Sequence, residues 1–336
     1  MRSRTARWWI ANQRRRSGPA SAIPSDLRLN AQRKGALRPF AHMRREKKVQ
    51  ERNMTRTVMF SEGCQLPAIG QGTWYMGEDA TQRRSEVAAL QHGLELGLRV
   101  IDTAEMYADG GAEEVVGEAL RGRRERAWLV SKVYPWNAGA TDAVEACERS
   151  LRRLKTDYLD LYLLHWRGNI PLEETLHAMT RLQQAGKIRR WGVSNFDTAD
   201  MEELLTEEGG TGCATNQVLY HLASRGIEYD LLPACQQRKI PVMAYSPLAQ
   251  AGRLRRDLMA HPVLVEIARQ KSITVAQLLL AWVIRQEGVM AIPKAGSIQH
   301  VEENAVALGV VLESGDLTLI NQAFPPPQKK LPLDVI

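Results

Sequence analysis

From residue 68 onward the chain alternates between short, near-continuous apolar runs and longer amphipathic stretches. The apolar runs fall at 68–70, 99–101, 127–131, 158–164, 188–193, 213–218, 240–245 and 289–292. Between them, apolar residues recur with helical period at 82–97, 112–121, 140–153, 172–185, 198–206, 228–238, 262–270, 274–286 and 298–307. The stretch 246–261 reads as irregular. Strands without polar alternation are buried on both faces, which is the signature of a parallel sheet flanked by helices. Eight such units predict an α/β fold, a closed (β/α)8 TIM barrel. Apolar residues at 57–60 and 66–69, on either side of Ser61-Glu-Gly63, predict a short N-terminal β-hairpin leading into it. The alternative is an open doubly wound sheet, which usually announces itself by a Gly-rich first turn. Gly70-Gln-Gly72-Thr73-Trp74 does not supply one, because Tyr75 stands where the third glycine belongs. These two glycines are expected to let the backbone approach a ligand or a neighbour.

Several of these strands end on polar or ionisable residues. Val100-Ile-Asp102 ends on a carboxylate, with Tyr107 five residues on; Ser131-Lys132 ends the next strand, and Leu164-His165 the one after. Taken singly, such residues are usually a turn residue, a solvated lysine or a packing tyrosine. On three consecutive strands of a barrel they meet at the C-terminal face, where barrel chemistry sits. The same rule places Asn195, Gln217, Tyr245 and Lys294 on that rim. A phenol beside an ammonium is expected to have a lowered pKa, and Asp102 is expected to hold Lys132 in place. His165 is expected to orient a substrate oxygen. A proton-donating Tyr suits carbonyl reduction, and since no side chain delivers hydride, a nicotinamide is required.

Charge divides the chain unevenly. Residues 1–53 hold 15 Lys and Arg against 3 Asp and Glu, whereas the remainder holds 30 against 35. The basic character therefore belongs to a leader, and the mildly acidic body offers nucleic acid no surface. The leader is expected to be disordered, with an organellar presequence or a nucleic-acid tail as alternatives. The favoured reading is an upstream start, with the native chain beginning near Met43 or Met54. The domain division is thus 1–53 leader and 54–336 barrel. Cys64, Cys147, Cys213 and Cys235 form no C-x-x-C pair and no zinc spacing. Reduced thiols in a cytoplasmic protein are expected, with no metal and no membrane span.

The motifs Asp102-Thr-Ala-Glu-Met-Tyr107, Ser131-Lys132, Leu164-His165-Trp166, Gly192-Val-Ser-Asn-Phe196, Asn216-Gln217, Ala244-Tyr-Ser-Pro-Leu248 and Ile292-Pro-Lys294 resemble those of the aldo-keto reductases. The resemblance runs from about Val58 to the C-terminus. It implies NADPH as cofactor, with NADH possible, and a catalytic tetrad on Asp102, Tyr107, Lys132 and His165. It further implies carboxamide contacts from Ser194, Asn195 and Gln217, and ring stacking on Tyr245. Ser246 and Leu248 fall on a loop over the pyrophosphate, and Thr73 and Trp74 also fall on the cofactor side. Lys294 falls at the adenosine 2′-phosphate, with Glu303 and Asn304 near the adenine. Trp74, Trp136 and Trp166 fall on the substrate pocket. Ala295 stands where relatives often have Ser or Thr, and His300 where they often have Arg, so Ser297 is the candidate replacement hydroxyl. The chain is most similar to the bacterial branch that reduces small aldehydes such as methylglyoxal, and a monomer is expected. The rival readings are an NADP(H)-binding regulatory subunit with little turnover, a Schiff-base lyase using Lys132, and a nucleic-acid binder acting through the leader.

Overall fold

The computed structural model describes residues 56–60 and 63–336. The leader, and Ser61 and Glu62 of the expected turn, lie outside the described residues. The hairpin forms from β1 (Thr57–Met59) and β2 (Gln65–Pro67), antiparallel with Val58 opposite Leu66. Its buried Phe60 packs 4.9 Å from Trp128, at the start of a barrel strand. The hairpin therefore caps the strand-start end and leaves the opposite rim open.

The barrel strands are β3 (Gln71–Gly72), β4 (Val100–Asp102), β5 (Trp128–Val133), β6 (Leu161–Leu164), β7 (Trp191–Ser194), β8 (Asn216–Leu219), β9 (Val242–Tyr245) and β10 (Val289–Ala291). Each pairs parallel with the next. The parallel bridges Ile69–Ala291 and Gly72–Lys294 join the last strand to the first and close the ring. At that seam Gly72 is required by space. A Cβ there would stand 2.6 Å from the Ile292 carbonyl oxygen, a backbone group with nowhere to go. Gly72→Ala is expected to cost about 2 kcal/mol, read as a lower urea midpoint at unchanged slope. The expected close approach is thus to a neighbouring strand.

Several boundaries differ from the sequence reading. The first barrel strand lies at 71–72 rather than 68–70, because Pro67 ends the hairpin ladder and only Ile69 bridges before Gln71. β6 through β9 begin two or three residues later than their apolar runs. Leu159, Ile188, Cys213 and Ile240 are buried, yet they are lead-in residues outside the strands proper, and burial alone cannot distinguish the two. The stretch 246–261 holds a helix at Arg253–Met259, and a further helix at Ser314–Ala323 was not read from the sequence at all.

The helix Asp142–Leu154 shows how the outer layer is encoded. It buries Ala143, Ala146, Cys147, Ser150, Leu151 and Leu154, one face of a 3.6-residue period, against the sheet. Asp142 and Glu145 sit in its first turn, Arg152 and Arg153 in its last, complementing the macrodipole. Arg153 reaches the buried Glu113 at 2.6 Å, and Glu113 accepts from Ser131 Oγ at 2.6 Å. The outer helix is thereby tied to the strand that carries Lys132. No disulfide forms among the described cysteines. Burial pushes the Cys147 and Cys213 thiols up to about 12, so they stay protonated. No described helix is long and apolar enough to cross a membrane.

Candidate active site

The rim gathers the residues the sequence nominated. Asp102 is the last residue of β4, Lys132 the penultimate residue of β5, and His165 follows β6 directly. Lys132 is fully buried, and its ammonium uses all three donors. They reach Asp102 Oδ2 at 2.7 Å, the Thr103 carbonyl at 2.7 Å and the Tyr107 hydroxyl oxygen at 3.2 Å. The other carboxylate oxygen of Asp102 accepts from Gln217 Nε2 at 2.8 Å. Thr73 donates from Oγ1 to the Asp102 carbonyl at 3.0 Å. A buried ion pair needs this much satisfaction, because stripping water from two charges costs several kcal/mol each.

The phenol is held in an unusual way. Lys132 donates to the Tyr107 oxygen, so the Tyr107 O–H is free to donate away from the lysine. The expectation of a lowered Tyr107 pKa is not met. Burial, and then the Asp102 carboxylate, hold it well above the usual phenol value. The reason is local neutrality: Asp102 at 2.7 Å balances the Lys132 charge, leaving desolvation to dominate. Burial lowers the Lys132 pKa, while Asp102 opposes that shift. His165 is buried, and burial together with the Lys132 charge keeps its pKa well below the ordinary value, so the imidazole is neutral. Its Nδ1 is buried without a hydrogen-bond partner among the described residues.

A second group of polar residues lies beside the first. Ser194 Oγ donates to the Gln217 carbonyl at 2.8 Å. Asn195 donates to the His165 carbonyl at 3.2 Å and to Ser194 Oγ at 3.3 Å, and accepts from the Tyr245 hydroxyl at 2.8 Å. Non-glycine residues in the left-handed region gather at the strand exits: Tyr75 (φ 69°), Asn195 (57°), Ser246 (47°) and Ala249 (58°). Each costs on the order of 1 kcal/mol, and such strain concentrates at functional sites. Leu248 is buried. Further round, Lys294 is exposed, and its ammonium lies 3.1 Å from where a side chain on Gly296 would begin. Ser297 is spent as a helix cap, accepting from the His300 N–H at 3.4 Å at the head of Ile298–Val306. Asn304 is buried on that helix, and Glu303 accepts from Gln299 at 2.9 Å.

Aromatic rings wall the other side. Trp74 stacks on Tyr75 at 4.6 Å and stands 6.5 Å from the Tyr107 ring. Trp166 lies 5.0 Å from His165 and edge-on to Trp136 at 5.7 Å. Tyr134 was missed in the sequence. It stacks on Trp136 at 4.2 Å and faces His165 at 6.4 Å. Glu105 was missed too; it accepts from the Tyr134 N–H at 2.8 Å and from Asn137 at 3.1 Å, anchoring the loop that carries Trp136. The available signal was Tyr134-Pro-Trp136, two residues beyond Lys132.

A recess of about 1220 Å³ opens on the opposite face, lined by Tyr158, Arg189, Cys213 and Ile240 among others. None of the rim residues lines it, so convergence of polar groups rather than size locates the chemistry.

The sequence profile described as "Aldo/keto reductase family" matches residues 68–324. The chain belongs to the aldo-keto reductase family. It is 65% identical over 279 residues to the methylglyoxal reductase YeaE of Escherichia coli, covering 83% of this chain and 98% of that one. It is 36% identical over 270 residues to the glyoxal reductase of Bacillus subtilis, covering 79% and 91%. Among solved structures, an aldo/keto reductase from Klebsiella pneumoniae in complex with NADP and acetate superimposes with a TM-score of 0.83. It is 64% identical and covers 84% of this chain and 100% of that one. As a member of this oxidoreductase family, the chain carries the family's barrel.

Proposed function

We propose that the protein reduces small aldehydes and 2-oxoaldehydes, methylglyoxal among them, to alcohols at the expense of NADPH. The observation that carries this reading is the phenol of Tyr107 against the buried Asp102–Lys132 pair. The likeness to named methylglyoxal and glyoxal reductases supports the substrate class, and the Klebsiella complex supports the cofactor.

The residues present fit an NADP(H). Ser194, Asn195 and Gln217 offer amide and hydroxyl groups to a carboxamide, and Tyr245 offers a flat face to a flat ring. Lys294, beside the N-terminus of Ile298–Val306, suits a phosphate. The cofactor supplies hydride to the carbonyl carbon. The chain's own residues handle the oxygen. His165, neutral, hydrogen-bonds and orients it. Tyr107 donates its proton, and Lys132 stabilises the phenolate as it forms. Asp102 keeps Lys132 aimed, and Gln217 keeps Asp102 aimed. The wall of Trp74, Trp136 and Trp166 keeps water from competing and accepts small apolar bodies.

Assay of NADPH oxidation against methylglyoxal, a panel of aldehydes and bulky steroid ketones tests the reading. Faster turnover of steroid ketones than of methylglyoxal would overturn the substrate class. Size-exclusion chromatography with light scattering tests the monomeric state this reading assumes.

Cofactor preference gives a separate expectation. Lys294→Ala is expected to raise the KM for NADPH about 10-fold or more, with the KM for NADH unchanged, since only NADPH carries the phosphate. The wild-type preference is expected to be narrower than in relatives with Arg, because His300 cannot grip a phosphate bidentately, and Ser297 is already engaged in capping. Equal affinity for NADP(H) and NAD(H) in binding titrations would remove the phosphate site.

A further inference from the structure

The segment that delivers Tyr107 to the rim is strained. Ala108 (φ 52°), Asp109 (φ 51°) and Gly110 (φ 92°) follow it in the left-handed region, three in a row, before the helix Gly111–Ala119 begins. A Cβ in that region crowds the carbonyl that follows it, and only glycine is at ease there. Ala108 bears this in full, since it has no polar side chain to bond the backbone in return. The Asp109 N–H reaches the Met106 carbonyl at 3.4 Å, a long bond that does little to hold the turn. Packing from two sides does more. Gly110 is buried under Arg153 of the helix Asp142–Leu154, and a Cβ on Gly110 would stand 2.5 Å from Arg153 Cδ and Nε. On the other side, a Cβ on Gly77, in the turn that follows Trp74, would stand 2.5 Å from the Gly111 backbone. Arg153 is itself fixed. Its Nε donates to Glu113 Oε2 at 2.6 Å, and its Nη2 to Ser150 Oγ at 3.3 Å. The other oxygen of Glu113 accepts from Ser131 Oγ at 2.6 Å, one residue before Lys132.

We propose that Arg153 clamps the strained turn behind Tyr107, and that Glu113 ties the clamp to the strand carrying Lys132, so that phenol and ammonium keep their 3.2 Å contact. The buried Glu113 carboxylate gives one oxygen to the clamp and the other to that strand, which fixes the spacing between them. Both residues act through others and are positioning residues. Released from Arg153, the turn relaxes toward ordinary backbone angles and carries the Tyr107 hydroxyl away from Lys132. Misplacement by about 1 Å at a reacting group can cost about 10²-fold in rate. The inference rests on the proposed role of Tyr107 as the acid.

Arg153→Ala alone strands the buried Glu113 charge, so it is combined with Glu113→Gln, whose amide oxygen still accepts from Ser131. This double variant is expected to lower kcat for methylglyoxal about 10- to 100-fold, with the methylglyoxal KM and the NADPH affinity within about 2-fold of wild type. Arg153→Lys keeps a stem over Gly110 and a donor for Glu113, and is expected to stay within about 3-fold of wild type. Adding Ala108→Gly to the double variant removes the strain that the clamp opposes, and is expected to recover most of the lost kcat. Amide exchange over residues 107–111 is expected to rise in the double variant and to fall again when Ala108→Gly is added. Wild-type kcat in the double variant overturns the proposal. So does a loss that Ala108→Gly leaves untouched, or one matched by an equal loss of NADPH affinity, since either marks a general structural role. Tyr107→Phe, run alongside, separates the clamp from the acid assignment. If Tyr107→Phe keeps its turnover, the acid assignment fails and the proposal with it. If Tyr107→Phe loses turnover and the double variant does not, the clamp alone is overturned.

Discussion

Replacing Tyr107 with Phe is expected to lower kcat/KM for methylglyoxal by about 10³ while NADPH affinity stays the same. General-acid catalysis contributes roughly 10² to 10⁴. The hydroxyl removed is the one group that Lys132 approaches at 3.2 Å and that remains free to donate. The ring stays, so its packing against Trp74 and His165 is retained. The loss is expected in kcat and in kcat/KM alike, because the proton transfer exists only in the transition state. The pH profile of the wild type checks the same assignment. An acid must be protonated to act, and the Tyr107 pKa is raised, so activity is expected to hold through neutral pH and fall only well into the alkaline range. His165 is neutral because its pKa is lowered, and no inflection from it is expected between about pH 6 and 8. Steady-state kinetics over a pH series, wild type against variant, measures both.

Lys132→Met is expected to abolish turnover and to destabilise the fold by about 3 to 5 kcal/mol. The reason is the neighbour left behind. Asp102, 1% exposed, would remain charged and buried with only Gln217 as a side-chain hydrogen-bond donor. Adding Asp102→Asn to that variant removes the stranded charge and is expected to recover most of the stability. It is not expected to recover activity, since nothing then stabilises the phenolate. Urea unfolding and NADPH turnover on the single and double variants separate the two effects.

The sequence made the barrel legible because its strands are apolar on both faces and its helices keep a clean period. The meeting of Asp102, Lys132 and His165 was legible because each lies at a strand end, where a barrel's order fixes their convergence. What stayed hidden depends on through-space neighbours. Gln217 as a partner of Asp102 is separated from it by 115 residues. The sign of the Tyr107 shift turns on whether the lysine charge is already balanced, which spacing does not report. Tyr134 and Glu105 matter through a loop conformation. The helix at Arg253–Met259 escaped notice because its exposed, arginine-rich sequence carries little apolar period.

The most direct test is a single turnover. Protein loaded with one equivalent of NADPH is mixed with methylglyoxal, and the oxidised cofactor and the product alcohol are both counted. The proposed reaction predicts one alcohol formed for each NADPH oxidised, with the yield collapsing in Tyr107→Phe. NADPH that remains bound and reduced in the wild type, across the aldehyde panel, would contradict it and favour a cofactor-binding subunit without turnover.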